Sequence, residues 1–166
     1  MKKTVGILIV LTLVLSLGYV TFAKKIKCAK NTVEFSDEKD GYLLCYAKKG
    51  EVKRWEYGVQ FSAKKGGDAN GEYRGSIELK DFAGTPEEYI TEMYGDEGIS
   101  GKKKIRTKGG LTGIEFESYS GGGGGYEVLV RNPQEGKLLS FFYAGANKQQ
   151  KLFVKGMYKT LEFVGE

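Results

Sequence analysis

The chain has 166 residues, 28% charged and 40% hydrophobic, with 26 Lys or Arg against 21 Asp or Glu and no histidine, for a net charge of +5. That length suits one ordinary domain around a single core. The mild positive balance falls short of the bias of a nucleic-acid binder, and the missing histidine excludes Ser-His-Asp and Cys-His nucleophile systems.

Lys2 and Lys3 open the chain, residues 4–23 carry no charge, and Thr21 and Ala23 are small enough to flank a cleavage site. This pattern reads as a signal peptide over residues 1–23. The competing reading is an uncleaved membrane anchor, because an apolar run of that length can span a bilayer, with Lys24, Lys25 and Lys27 as its flanking charges. Either reading makes residues 24–166 a single extracytoplasmic α+β domain, secreted or periplasmic, or anchored by residues 4–23. Cys28 follows Lys25-Ile26-Lys27, so the apolar run ends without a lipobox. Export would permit a disulfide between Cys28 and Cys45. The closed loop would contribute roughly 3 kcal/mol in the chain-entropy model and pin the N-terminus to the first hairpin. The alternative is two free thiols with Cys45 buried in a strand. Two cysteines without histidine are too few for an ordinary structural zinc site, and no residue pattern calls for any other metal or a cofactor.

Strand signals begin at Val33–Phe35 and Tyr42–Tyr46, with Asp40-Gly41 as a hairpin turn and Lys49-Gly50 as a second. From Trp55 to Phe61 every odd position is large and apolar, which predicts one strand; residues 66–71 are a polar loop; and Glu72–Leu79 alternates again, with Gly75 the exception. Thr85-Pro86-Glu87-Glu88 predicts a helix start, with Thr85 as N-cap, Pro86 at the first helical position and Glu88 completing a capping box. Tyr89, Ile90, Met93 and Tyr94 would share its apolar face, and Gly95 can end it. Strands follow at 111–119, 126–131 and 138–143. A second helix is expected over 147–159, with Phe153, Met157 and Leu161 inward, supported by Leu152, and Gly156 either weakening it or marking close packing. Leu161–Val164 is a short final strand. Strands, helix, strands, helix and strand in that order predict an antiparallel sheet with two main helices packed on it.

Gly121, Gly122, Gly123, Gly124 and Gly125 lead into a strand and are followed by no Lys-Ser or Lys-Thr, so neither a P-loop nor a dinucleotide fingerprint fits. They read as a flexible hairpin loop, which also lets another molecule approach bare backbone. Lys102, Lys103, Lys104, Arg106 and Lys108 lie between glycines. They could contact an anion or an anionic membrane surface, or protect an edge strand from aggregation. Glu115 and Glu117 share a strand face and read as a solvated stripe in preference to a catalytic or metal pair. Asp96-Glu97 lacks the alternating oxygens of a calcium loop.

Four stretches, "TPEEYITEMYG", "LTGIEFESYSGGGGGYEVLV", "KLLSFFYAG" and "KLFVKGMYKTLEFV", together resemble the PsbP-like family over about residues 72–164. These are extrinsic photosystem subunits with exported or lipid-anchored bacterial relatives. The resemblance implies an α/β/α sandwich and non-enzymatic work: docking onto, assembling or stabilising a membrane-associated complex. The family's metal-binding histidines have no counterpart in this chain. The expected function is an exported, non-catalytic binding or assembly protein acting through protein–protein contacts at the cell envelope. The alternative is a small-molecule or lipid-binding module with a pocket between helices and sheet. An enzyme would have to work with carboxylates alone.

Overall fold

Alternation of side chains decides which way each strand faces. Val59 and Phe61 point into the core while Gln60 between them stays exposed, and Tyr126, Val128 and Val130 share the face that Glu127 and Leu129 turn away from. The computed structural model describes residues 25–64, 72–95, 97–120, 123–133, 136–145 and 148–164. The segment read as signal peptide or anchor, the polar loop at 66–71, Asp96, Gly121 and Gly122 lie outside them.

The described strands are β1 (Thr32–Asp37), β2 (Tyr42–Ala47), β3 (Gly50–Trp55), β4 (Gly58–Lys64), β5 (Glu72–Lys80), β6 (Ile99–Arg106), β7 (Thr112–Ser120), β8 (Gly123–Arg131), β9 (Leu138–Ala144) and β10 (Glu162–Phe163). Helix α1 (Pro86–Tyr94) joins β5 to β6, and α2 (Lys148–Tyr158) joins β9 to β10. Seven strands form one antiparallel sheet in the order β3-β4-β5-β9-β8-β7-β6; β1, β2 and β10 form a second, of three strands. The large sheet is therefore two meanders. The first ends at β5, α1 carries the chain to the far edge at β6, and the second returns until β9 pairs with β5.

Each face of the large sheet has its own cover. Val154, Met157 and Tyr158 of α2, with Tyr42, Leu44 and Phe163 of the small sheet, close over Phe61, Ile77, Val128 and Phe141. On the opposite face Tyr89 and Ile90 of α1 cover Ile114, Phe116, Leu129 and Leu138. The fold is α+β, as the residue pattern predicts, with a helix on each face of the large sheet, as the family resemblance implies, and the small sheet shares one layer with α2. Helix α1 covers only the β7–β8 half of its face, so the β3–β5 half stays open.

Local chemistry explains the helix ends. The Glu88 backbone N–H donates to Thr85 Oγ1 at 3.2 Å and the Thr85 N–H to Glu88 Oε2 at 2.7 Å, which closes the capping box and holds the Glu88 carboxyl below its ordinary range. Gly95, at φ 62°, ends α1 in a backbone conformation that favours glycine, its N–H donating to the Thr91 carbonyl. Gly75 is where α2 comes close to the sheet: a Cβ there would lie 3.0 Å from Val154 Cγ2. Gly156, by contrast, is exposed with open space where a Cβ would sit. Gly156→Ala is therefore expected to raise stability by about 0.5–1 kcal/mol in urea unfolding, and a loss would show that the site is not free.

Four local expectations are corrected. Residues 55–61 are not one strand: the chain turns at Glu56-Tyr57, pairing Trp55 with Gly58, and Gly58 then lies so close to β5 that a side chain there would collide with the Ile77 carbonyl. Lys49-Gly50 does not join a hairpin, since β2 pairs in the small sheet and β3 in the large one. Met93 and Leu152 face solvent. The glycine run is mostly strand, as Gly123, Gly124 and Gly125 pair with Ser120, Tyr119 and Ser118. Gly125 is fixed by packing, because a Cβ there would sit 2.5 Å from the Phe142 ring.

Candidate interaction site

The β3–β4 hairpin presents the largest exposed aromatic surface among the described residues. Because the turn falls at Glu56-Tyr57, Trp55 projects from the sheet face opposite Val59 and Phe61. Trp55 is 52% exposed and Tyr57 66%, and the two rings meet edge to face with centroids 6.3 Å apart. They form a ridge between three open grooves. One, of about 490 Å³, lies between the hairpin and Asp37, Asp40 and Asp81. A second, of about 420 Å³, runs from Tyr57 past Leu79 and Phe82 to Tyr89 and Met93 of α1. The third, of about 390 Å³, runs from Trp55 across the open sheet face to Arg74, Phe142 and Gln150. Behind the ridge, Asp37 is buried and fixed by Arg54 Nη1 at 2.8 Å and by the backbone N–H groups of Lys39 and Asp40. The hairpin is thus tied to the β1–β2 turn. A single strand over residues 55–61 would have no such ridge; Gly58, a turn signal inside an apolar run, marks the hairpin that makes it.

The basic residues sit elsewhere. Lys102, Lys103, Lys104 and Arg106 are exposed on β6, the outermost strand at the far edge of the sheet, and Lys108 is exposed in the turn that follows. Strand pairing slips between Ser100 and Lys103, and Gly101 lies at φ 62°. Lys104 and Arg106 share one face, but Lys108 does not continue it, because β6 ends at Arg106 and Thr107 turns inward.

The acidic pair departs from expectation. Glu115 is buried, 7% exposed, because α2 packs over it. It accepts from Tyr126 Oη at 2.6 Å, Tyr158 Oη at 2.9 Å and Lys155 Nζ at 3.2 Å. Burial alone would raise its pKa; the three donors outweigh it and hold the carboxyl below its ordinary value. Burial, then the bond to Glu115, pushes both tyrosines well above their usual range. Burial and the charge of Glu117 push Tyr143 up to about 12. Glu117 is half-buried and pairs with Lys151 at 2.8 Å, and that ammonium sits 4.6 Å from the Tyr126 ring centroid.

On the other face Glu127, 2% exposed, accepts from Tyr94 Oη and Ser140 Oγ, each at 2.6 Å. One buried carboxylate on each face therefore holds one helix: Glu115 takes α2 through Tyr158 and Lys155, and Glu127 takes α1 through Tyr94. The two point away from each other and do not converge on a cleft. Cys28 and Cys45 are joined in a disulfide.

No family model matches the chain, and no curated protein matches it. Among solved structures it is similar to cyanobacterial PsbP (CyanoP) from Synechocystis sp. PCC 6803, with a TM-score of 0.51 and 14% identity over 83% of this chain and 98% of that one. At that identity the likeness is one of fold, and the fold is PsbP-like.

Proposed function

We propose that this chain is an exported, non-catalytic binding protein that acts at the cell envelope by protein–protein contact. Residues 1–23 serve as signal peptide or anchor, and residues 24–166 are the working domain. The observation that carries this reading is the Trp55–Tyr57 ridge between three grooves. Large aromatics held on a tied-down hairpin are what protein interfaces use as anchors. The disulfide suits an oxidising compartment. No helix among the described residues is long and apolar enough to cross a membrane. Fold likeness alone does not give function, so the partner chemistry is argued from the surface.

Trp55→Ala with Tyr57→Ala is expected to leave thermal unfolding within a few degrees of wild type, since both side chains are exposed. The pair should cut capture of a stoichiometric protein partner from the native envelope by about a hundredfold. Unchanged capture by the double variant would overturn the assignment. The groove between α1 and the sheet supports a second reading, a small-molecule or lipid-binding module. Bound lipid without protein, lost on Met93→Lys, would favour it.

A further inference from the structure

The bonds around the end of α2 collect positive charge at one end of the molecule. The Lys108 backbone N–H donates to the Lys159 carbonyl at 2.7 Å, fastening the β6–β7 turn to the exit of α2. One residue further on, Thr160 Oγ1 accepts from the Cys45 backbone N–H at 2.8 Å, and Cys45 is disulfide-bonded to Cys28. The chain therefore enters the fold beside the helix exit that carries Lys108 and Lys159. Lys25 and Lys27 are exposed at that entry, and residues 4–23, which carry no charge, lead into it.

Little neutralises this charge. Lys102, Lys103, Lys104, Lys108 and Lys159 are exposed, and none is ion-paired with a carboxylate among the described residues. The carboxylate opposite Lys103 across the strands is Glu115, which is buried and already bonded to two tyrosines and Lys155. Glu117, opposite Ser100, is held by Lys151. Glu34 receives the Ile26 backbone N–H, and Glu162 is half-buried near Gly109.

We propose that this end seats the domain on an anionic bilayer surface, with the β6 edge and the α2 exit against the headgroups. Lys25, Lys27, Lys108 and Lys159 are brought together by these bonds and β6 adds its own lysines along the edge, a density of positive charge that an anionic bilayer attracts. The β3–β4 hairpin lies at the opposite edge of the sheet, so the seated domain keeps its aromatic ridge free. The inference stands apart from the protein-partner reading, because the two use different edges.

The test is partitioning of the full chain onto vesicles of phosphatidylcholine alone and of phosphatidylcholine with phosphatidylglycerol, at low and high salt. Residues 4–23 contribute to both vesicle types, so the ratio of the two affinities reads the basic end. The expected ratio is about a hundredfold or more at low salt, falling by about fivefold for each basic residue neutralised and collapsing at high salt. Lys104→Gln with Arg106→Gln and Lys108→Gln should lose most of it, while Trp55→Ala with Tyr57→Ala should keep it. If the triple variant misfolds by circular dichroism, Lys102→Gln with Lys159→Gln, exposed at separate sites, serves instead. Equal affinity for the two vesicle types, or a ratio that survives neutralisation, would overturn the proposal.

Discussion

Replacing Glu115 with alanine is expected to lower folding stability by about 2–4 kcal/mol, the cost of leaving two buried hydroxyls without their acceptor. The substitution strands Tyr126 Oη and Tyr158 Oη beneath α2 and leaves Lys155 without its acceptor. Lys155 can still swing to water, but Tyr126 and Tyr158 are buried and cannot. Urea unfolding of Glu115→Ala against wild type measures the loss. A double-mutant cycle with Tyr158→Phe should return a coupling of about 1 kcal/mol or more. A change within about 0.5 kcal/mol would mean that Glu115 behaves as a solvated surface acid.

The same network sets the pH window. The folded-state pKa of Glu115 lies below its ordinary value of 4.5, so its contribution is complete above that value and is lost as pH falls through the folded pKa. Tyr126 and Tyr158 lie above their ordinary value of 10.0, so their contribution is complete below it and fades as pH climbs past it. Stability should therefore be flat across neutral pH and fall at both extremes, with the acid limb shallower in Glu115→Ala.

Removing the disulfide has the second-largest expected effect. Cys28 and Cys45 are 17 residues apart, and a loop of that size contributes about 3 kcal/mol in the chain-entropy model. Cys28→Ser with Cys45→Ser, and reduction of the wild-type chain, should each lower stability by that amount. They should also free the N-terminal segment from β2, seen as faster amide exchange at Leu43 and Cys45. A loss below about 0.5 kcal/mol would show that the small sheet holds that segment without the bond.

What the residues reveal unaided depends on whether the determining contact is local. Helix α1 is legible because its start is four adjacent residues, Thr85 to Glu88, that bond to one another. Strands β5, β7 and β8 are legible because alternation needs only neighbours, and β9 because it is a short run that is apolar on both faces. The hairpin at Glu56-Tyr57 is less so: Gly58 signals a turn, but the large apolar residues at 55, 57, 59 and 61 alternate across it as one strand would, and only pairing sets Trp55 opposite Gly58. The crossing from β2 to β3 is hidden for the same reason: pairing partners belong to the tertiary fold. Glu115 and Glu117 alternate as a solvated stripe would, and only the placement of α2 over β7 reveals one as a buried anchor. The aromatic ridge followed from the hairpin and was hidden with it. The basic run was plain in the chain, but its meeting with the N-terminal entry came from contacts between distant segments: the Lys108–Lys159 backbone bond, the Cys45 N–H on the Thr160 hydroxyl and the disulfide.

The most direct test of the binding account is amide hydrogen exchange of the chain alone and bound to its native envelope. The account predicts protection on binding at two separated places, residues 53–59 around the aromatic ridge and residues 102–109 along the basic edge, with α1 and the groove beside it unchanged. Protection confined to α1 and the groove beneath it, or none at residues 53–59, would contradict it.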